Sequence, residues 1–241
     1  SVAMRLRLLP TIALIALLAG RAPVQAGPLL DPAWGTSGVH NLIALGGRVE
    51  GLGSCPHADG SISIIGFRAT TPALVIVRLT ASGQFDTRFS GDGVAELPIG
   101  QAFDSGRSAL SCSGIGNSIP EDDRAMVVGT SPGSTHDRVI ATLLDLSTGS
   151  FDAQFFLGGP AIYDLIGVLF PPQNQVRPYP VTRVQGVFPG PASGWLIVGQ
   201  LDGHASGVPV GFIARLSATG NVEALAQPNA GGFSNRDLSA A

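Results

Sequence analysis

A few residues in this chain have types and spacings that could do chemistry. Gly129-Thr-Ser-Pro-Gly133 fits the GxSxG pattern, and His136 lies three residues beyond it. In a serine hydrolase that pattern marks a nucleophile elbow: Ser131 would stand on a sharp turn into a helix, with a histidine and a carboxylate converging on its hydroxyl. His136 and His204 each have an aspartate close in sequence, Asp137 and Asp202. Two such histidines on one rim could contribute to a metal site, but neither HxH nor HExxH spacing brings ligands to one point. Asp31, Asp86 and Asp152 invite a calcium reading. The DxDxDG spacing is absent, however, and each position offers one carboxylate where calcium takes about six to eight oxygens. His40 and His57 show no partner spacing and are expected at the surface. No metal or cofactor is expected from these residues.

The elements that must carry these residues emerge from internal repetition. Asp31-Pro-Ala-Trp-Gly-Thr-Ser-Gly-Val39 matches Asp86-Thr-Arg-Phe-Ser-Gly-Asp-Gly-Val94 with one residue fewer in the turn, and Asp152-Ala-Gln-Phe155 with Gly158-Gly159 is a weaker third copy. The aspartates stand 55 and 66 residues apart, enough for a four-stranded unit and too long for a hairpin. A second landmark is a polar turn before an apolar strand expected to end at glycine: Asp59 to Gly66, Asp122 to Gly129 and Ala192 to Gly199. A third is a Val/Ile/Phe-rich strand running into Ala81-Ser-Gly83, Ser147-Thr-Gly149 or Ala218-Thr-Gly220.

Each unit therefore reads as four strands: an inner one (48–54, 107–113, 181–187), one ending at the landmark glycine, the Val/Ile/Phe strand, and one after the aspartate motif. The second and third strands alternate incompletely between polar and apolar residues, as strands do when both faces are buried between stacked sheets. Glycines are expected to supply the positive φ of the tight turns. The aspartates are expected to accept backbone N–H groups two residues on, which aims Trp34, Phe89 and Phe155 into the core. In this register Ser131 falls in a loop between strands, in the slot filled elsewhere by Phe67 to Pro72 and by Gln200 to Gly207. Gly114-Ile-Gly-Asn-Ser118 lacks the βαβ context of a dinucleotide fingerprint. Pro171 to Pro180 is proline-rich and reads as an extended linker loop, with a recognition segment as the other use of such composition.

Residues 1–26 read as a secretory signal peptide with a short extension at 1–3. Met4-Arg-Leu-Arg7 is basic, an apolar run follows from Leu8 to Ala19, and Val24-Gln25-Ala26 is a small-residue cleavage site. The run is well short of the ~20 residues that cross a bilayer. Residues 27–241 then form the repeat domain, exported to the periplasm or the exterior. Losing Arg5, Arg7 and Arg21 and no acid takes the formal charge from −3 to −6. An acidic chain with scattered arginines lacks the cationic face that nucleic acid requires. The chain has no lysine, which excludes Schiff-base chemistry and the P-loop lysine. Cys55 and Cys112 occupy the same slot in successive units. In an exported protein they are disulfide candidates, the alternative being two buried free thiols.

The order of motifs is an Asp-Gly turn before an apolar strand, an Ala-Arg-Leu type strand, then Gly-x-[FV]-[DE]-x-x-F-x-x-x-G-V. Arg78-Leu-Thr-Ala-Ser-Gly-Gln-Phe-Asp-Thr-Arg-Phe89 carries it best, and the pattern resembles the delta-60 repeat of large bacterial surface and secreted proteins. It covers residues 29–225. Asn221-Val-Glu-Ala224 departs from the aspartate motif in the third unit. The resemblance implies an all-β, β-propeller-like array of about three four-stranded blades, with no enzymatic activity assigned to the repeat.

An extra N-terminal strand at 39–44 lacks the first three strands of its own blade, and closed propellers use about four to eight blades. It could complete the third blade; otherwise the chain is an open arc, a fragment, or half of a two-chain ring. The function expected is that of a non-catalytic module acting by binding or structural association, with an unknown protein or glycan as ligand, self-association as one way to complete the ring, and no membrane span once the signal is removed. The alternative is a serine hydrolase using Ser131.

Overall fold

A computed structural model describes residues 48–101, 103–113, 123–133, 137–165, 181–202, 209–229 and 232–237, all within one compact unit spanning 40–241. The signal segment 1–26, Asp31, Trp34, the strand expected at 39–44, His40, the glycines at 114–118, His136, the proline-rich stretch 171–180 and His204 lie outside the described residues.

The described chain is all-β, and its strands pair into three antiparallel sheets. Sheet 1 contains β1 (Val49–Pro56), β2 (Ile62–Arg68), β3 (Ala73–Leu79) and β4 (Val94–Pro98) in sequence order. Sheet 2 contains β5 (Asp104–Ser113), β6 (Arg124–Ser131), β7 (Arg138–Asp145), β8 (Ser150–Phe151) and β9 (Ala161–Tyr163). Sheet 3 contains β10 (Val181–Pro189), β11 (Trp195–Asp202), β12 (Val210–Leu216), β13 (Val222–Asn229) and β14 (Gly232–Asp237). These strands do not close into a barrel or a propeller.

The sheets are layered, and sheet 2 is the middle layer. Along β7, Ile140 and Leu144 join a core shared with Ile65, Phe67, Leu74 and Ile76 of sheet 1. The alternate residues Val139, Ala141 and Leu143 join a second core with Ile197, Phe212 and Ala214 of sheet 3. Successive side chains of a strand point to opposite faces, so a strand between two sheets is apolar on both of them. That explains the Val-Ile-Ala-Thr-Leu-Leu run of β7, in which Thr142 is the one polar residue and is itself buried.

The landmark glycines lie inside their strands: β2, β6 and β11 continue beyond Gly66, Gly129 and Gly199. Ser131 is accordingly the last residue of a strand, paired with Arg138, and is not in a loop. None of these three glycines has the positive φ expected of turn glycines; what they share is a close neighbour. A Cβ on Gly129 would lie 2.3 Å from the Phe103 ring, and one on Gly199 would lie 2.5 Å from both the Arg183 carbonyl and the Phe212 ring. Positive φ belongs to the turn glycines Gly83, Gly149 and Gly220.

The outer strand differs from one sheet to the next. In sheet 1, Phe85 bridges to Leu79, the chain leaves through the aspartate motif, and β4 returns to pair with Ala73–Val77. Sheet 2 repeats this with β8 at Leu144 and Asp145 and β9 at Val139–Ala141, so its outer strand is two short pieces and the sheet has five strands. In sheet 3 the motif is absent. Glu223 stands where the aspartate would be, the excursion shrinks to a bulge between Arg215 and Leu216, and β13 runs on to pair with a fifth strand, β14.

Candidate functional site

One set of polar and reactive side chains that the structure brings together lies along the seam between sheets 1 and 2. Cys55 near the end of β1 is disulfide-bonded to Cys112 near the end of β5, across 57 residues of chain. Two residues on, and so directed to the same side by the two-residue period of a strand, His57 enters the hairpin turn with its side chain buried. Its Nδ1 lies 2.9 Å from Asp123 Oδ2 at the foot of β6, and its Nε2 lies 2.7 Å from the Ser63 hydroxyl on β2. With Nδ1–H donating to the carboxylate, Nε2 accepts from the hydroxyl. This residue, expected at the surface, is a buried crosslink between two sheets.

The connectivity Ser63–His57–Asp123 is that of a serine-hydrolase relay. A relay also needs a nucleophile that a carbonyl carbon can reach, and Ser63 is 0% exposed within a paired strand. The trio therefore ties two sheets together without presenting a hydroxyl to a substrate.

Arg78 on β3 organises the same rim. Its guanidinium donates to Ser61 Oγ at 3.1 Å, to Asp59 Oδ2 at 3.3 Å and, at 3.3 Å, to the carbonyl of Leu146 in the turn just after β7. Its Nε lies 3.5 Å from Asp86 Oδ2, an ion pair without hydrogen-bond alignment. Asp86 in turn accepts from Arg88 Nε at 2.9 Å and from the Arg88 backbone N–H at 3.2 Å. The side-chain hydrogen bond from Arg88 is the leading reason that the Asp86 carboxyl titrates below its usual range. Asp59 is likewise lowered, first by the Ser61 hydroxyl.

Asp152 repeats this part in sheet 2. It accepts the backbone N–H of Gln154 at 2.8 Å and of Phe155 at 3.2 Å, and pairs with Arg124 Nε at 3.0 Å. Asp86 and Asp152 thus fasten loops internally. Each loop delivers an aromatic plug to the neighbouring sheet, where a glycine in the β-turn makes room. Phe89 lies where a Cβ on Gly149 would meet its ring at 2.6 Å, and Phe155 lies where a Cβ on Gly220 would meet its ring at 3.0 Å. Gly149 and Gly220 have φ of +72° and +87°, so each also holds its turn in the left-handed region that disfavours a side chain. At the second joint, Tyr163 donates to the Gly220 carbonyl at 2.5 Å, and burial raises its phenol pKa well above the usual value.

Ser131 is not part of this seam. A nucleophile elbow requires a strand-to-helix turn, whereas Ser131 lies buried within a strand pair, and its proposed partner His136 is outside the described residues. Asp137 is engaged with Arg107 at 3.0 Å and with the Thr182 N–H at 3.3 Å. Among the described residues, no group of three or more His, Cys, Asp or Glu is placed to hold a metal, and no helix is long and apolar enough to cross a membrane.

The sequence held one signal for the missed crosslink: Cys55 and His57 share parity along one strand, so a disulfide at the first turns the second inward as well. No signal marked Asp123 as its acceptor, because that depends on how sheet 2 settles on sheet 1. No known protein family, curated protein or solved structure matches the chain.

Proposed function

We propose that the chain is an exported, non-catalytic β-repeat module of the delta-60 type, a β-propeller-like array that acts by binding or structural association. The observation that carries this is the repeated joint. Phe89 on Gly149 and Phe155 on Gly220 use the same aspartate-anchored loop to fasten one sheet to the next, which is how a repeat array shares one core among its copies. The polar chemistry described is spent on that assembly: His57 and Ser63 are buried crosslinks, and Asp86 and Asp152 hold their own loops. The turns and inter-strand loops offer a surface for ligand recognition. An acidic surface free of lysine suits a protein or glycan ligand better than nucleic acid. The signal segment at 1–26 directs the module to the periplasm or the exterior.

A fluorophosphonate probe tests the non-catalytic part. The folded chain of residues 27–241 is expected to remain unlabelled by intact mass. Stoichiometric labelling lost in Ser131→Ala or Ser63→Ala would establish a serine hydrolase and end the proposal.

A further inference from the structure

We infer that the outer face of sheet 3 is a self-association surface, through which two copies of the chain pair about a two-fold axis. This deepens the associative function proposed above and rests on it.

Each of the three sheets has two inequivalent faces. The face carrying the residue just before the landmark glycine points toward the following sheet: Ile65 of sheet 1 is in the core shared with sheet 2, and Val128 of sheet 2 is in the core shared with sheet 3. The corresponding residue in sheet 3 is Val198. Its cross-strand neighbour Ile213, and Leu196 two residues before it, lie on the same face. Phe188 pairs with Leu196, while Ala226 and Ala224 pair with Ile213 and Arg215. None of these six apolar residues, Phe188, Leu196, Val198, Ile213, Ala224 and Ala226, belongs to either core. Phe188 is 53% exposed, and the other five are half-buried. A face that is packed twice within the molecule therefore occurs a third time without a described sheet on it.

The kind of occupant follows from the opposite end of the array. A head-to-tail neighbour would offer the other type of face, the one that sheet 1 turns away from sheet 2. On β3 that face consists of Ala73, Val75, Val77 and Leu79, whose alternate residues Leu74 and Ile76 point to sheet 2. These four are already buried in the single chain, at 3%, 1%, 2% and 0% exposure. With that end closed, the matching apolar face that a second copy offers among the described residues is its own sheet 3, and such an isologous contact stops at two. The face is not wholly apolar: Arg215, between Leu196 and Ala224, is paired with Glu223 at 2.8 Å, and Arg183 is exposed opposite Gln200 on β10. Five strands of about seven residues cover roughly 20 by 20 Å. Two such faces bury about 800 Å² before side-chain relief is added, the scale of a weak, reversible pair.

Sedimentation velocity on residues 27–241 across a micromolar concentration series tests this. The expected result is a concentration-dependent shift from monomer to dimer mass. Phe188→Glu, at an already exposed site, and Val198→Arg, at the centre of the face, should each raise the dissociation constant at least about tenfold, with the circular dichroism spectrum unchanged. If Val198→Arg fails to fold, Phe188→Glu decides alone. A wild-type chain that is monomeric throughout, or a dimer undisturbed by Phe188→Glu, overturns the inference. Fluorophosphonate labelling would end the non-catalytic function without bearing on the oligomeric state, whereas a monomeric chain ends only the pairing.

Discussion

The joint between sheets 1 and 2 and the joint between sheets 2 and 3 are built from one device and then finished differently. Both receive an aromatic plug from an aspartate-anchored loop over a left-handed turn glycine. The first joint adds a disulfide, the His57 crosslink and the Arg78 fan. The second adds the Tyr163 hydroxyl bond to Gly220 and the reach of Asp137 from sheet 2 to the Thr182 N–H of sheet 3. The plug is thus the common minimum for stacking one sheet on the next, and the remaining bonds set how each joint can fail. A covalently tied pair of sheets can loosen but cannot part. Sheets 2 and 3, held by non-covalent contacts, can open as a unit.

Removing the plugs should have the largest effect. Phe89→Ala and Phe155→Ala each delete a fully packed ring, at a cost of about 3–5 kcal/mol. Their consequences should diverge. In Phe155→Ala, hydrogen exchange is expected to quicken selectively across β10 to β12, as a sub-global opening of sheet 3. In Phe89→Ala, protection should fall throughout. The same exchange pattern in both variants would break the comparison and make the disulfide irrelevant to how the joints open.

Next in size is the disulfide itself. Closing 57 residues of chain restricts the unfolded state by about 4 kcal/mol on the loop-entropy account. A Cys55→Ala/Cys112→Ala variant should lose close to that amount in denaturant unfolding, with the sheet 2–3 joint unaffected. It should also let Phe89→Ala acquire the sub-global opening expected of Phe155→Ala. His57→Ala should cost less, about 1–3 kcal/mol, because it strips partners from the buried Ser63 hydroxyl and from Asp123. His57→Gln should recover only part of that loss, since one amide cannot span both acceptor and donor.

Much of the layering was legible beforehand because it is written in short-range patterns. The Val-Ile-Ala-Thr-Leu-Leu run announced a strand with two buried faces, and the spacing of Asp86 and Asp152 announced the loops that seat Phe89 and Phe155. Three features were not legible, each for a physical reason. Gly66, Gly129 and Gly199 looked like turn punctuation, because a glycine needed for close approach of a neighbour is indistinguishable in sequence from one needed for positive φ. His57 looked exposed because its acceptor, Asp123, lies 66 residues away and meets it only after the sheets stack. The fifth strand of sheet 3, β14, escaped because losing the aspartate motif lets β13 run on and turn back into another strand. Once nothing forces the chain out over a neighbour, it simply continues pairing.

The smallest expected effect concerns acid, and it sharpens the contrast between the two loop aspartates. Asp86 binds Arg88 through its side chain and lies near Arg78, and its carboxyl is held below the ordinary value of 3.8. A carboxyl with a depressed folded-state pKa binds protons more readily in the unfolded chain. Its contribution is therefore complete above the unfolded value and disappears as pH falls through the folded one. Unfolding followed from pH 6 to pH 2 should show wild type losing stability below about pH 4, with a shallower slope in Asp86→Asn. Arg88→Ala should reproduce part of that change, because the Arg88 hydrogen bond is the leading cause of the depression. An acid slope identical in wild type and Asp86→Asn would show that the loop is held by its backbone bonds and its plug, and that the ion pairs of the first joint add nothing the second joint lacks.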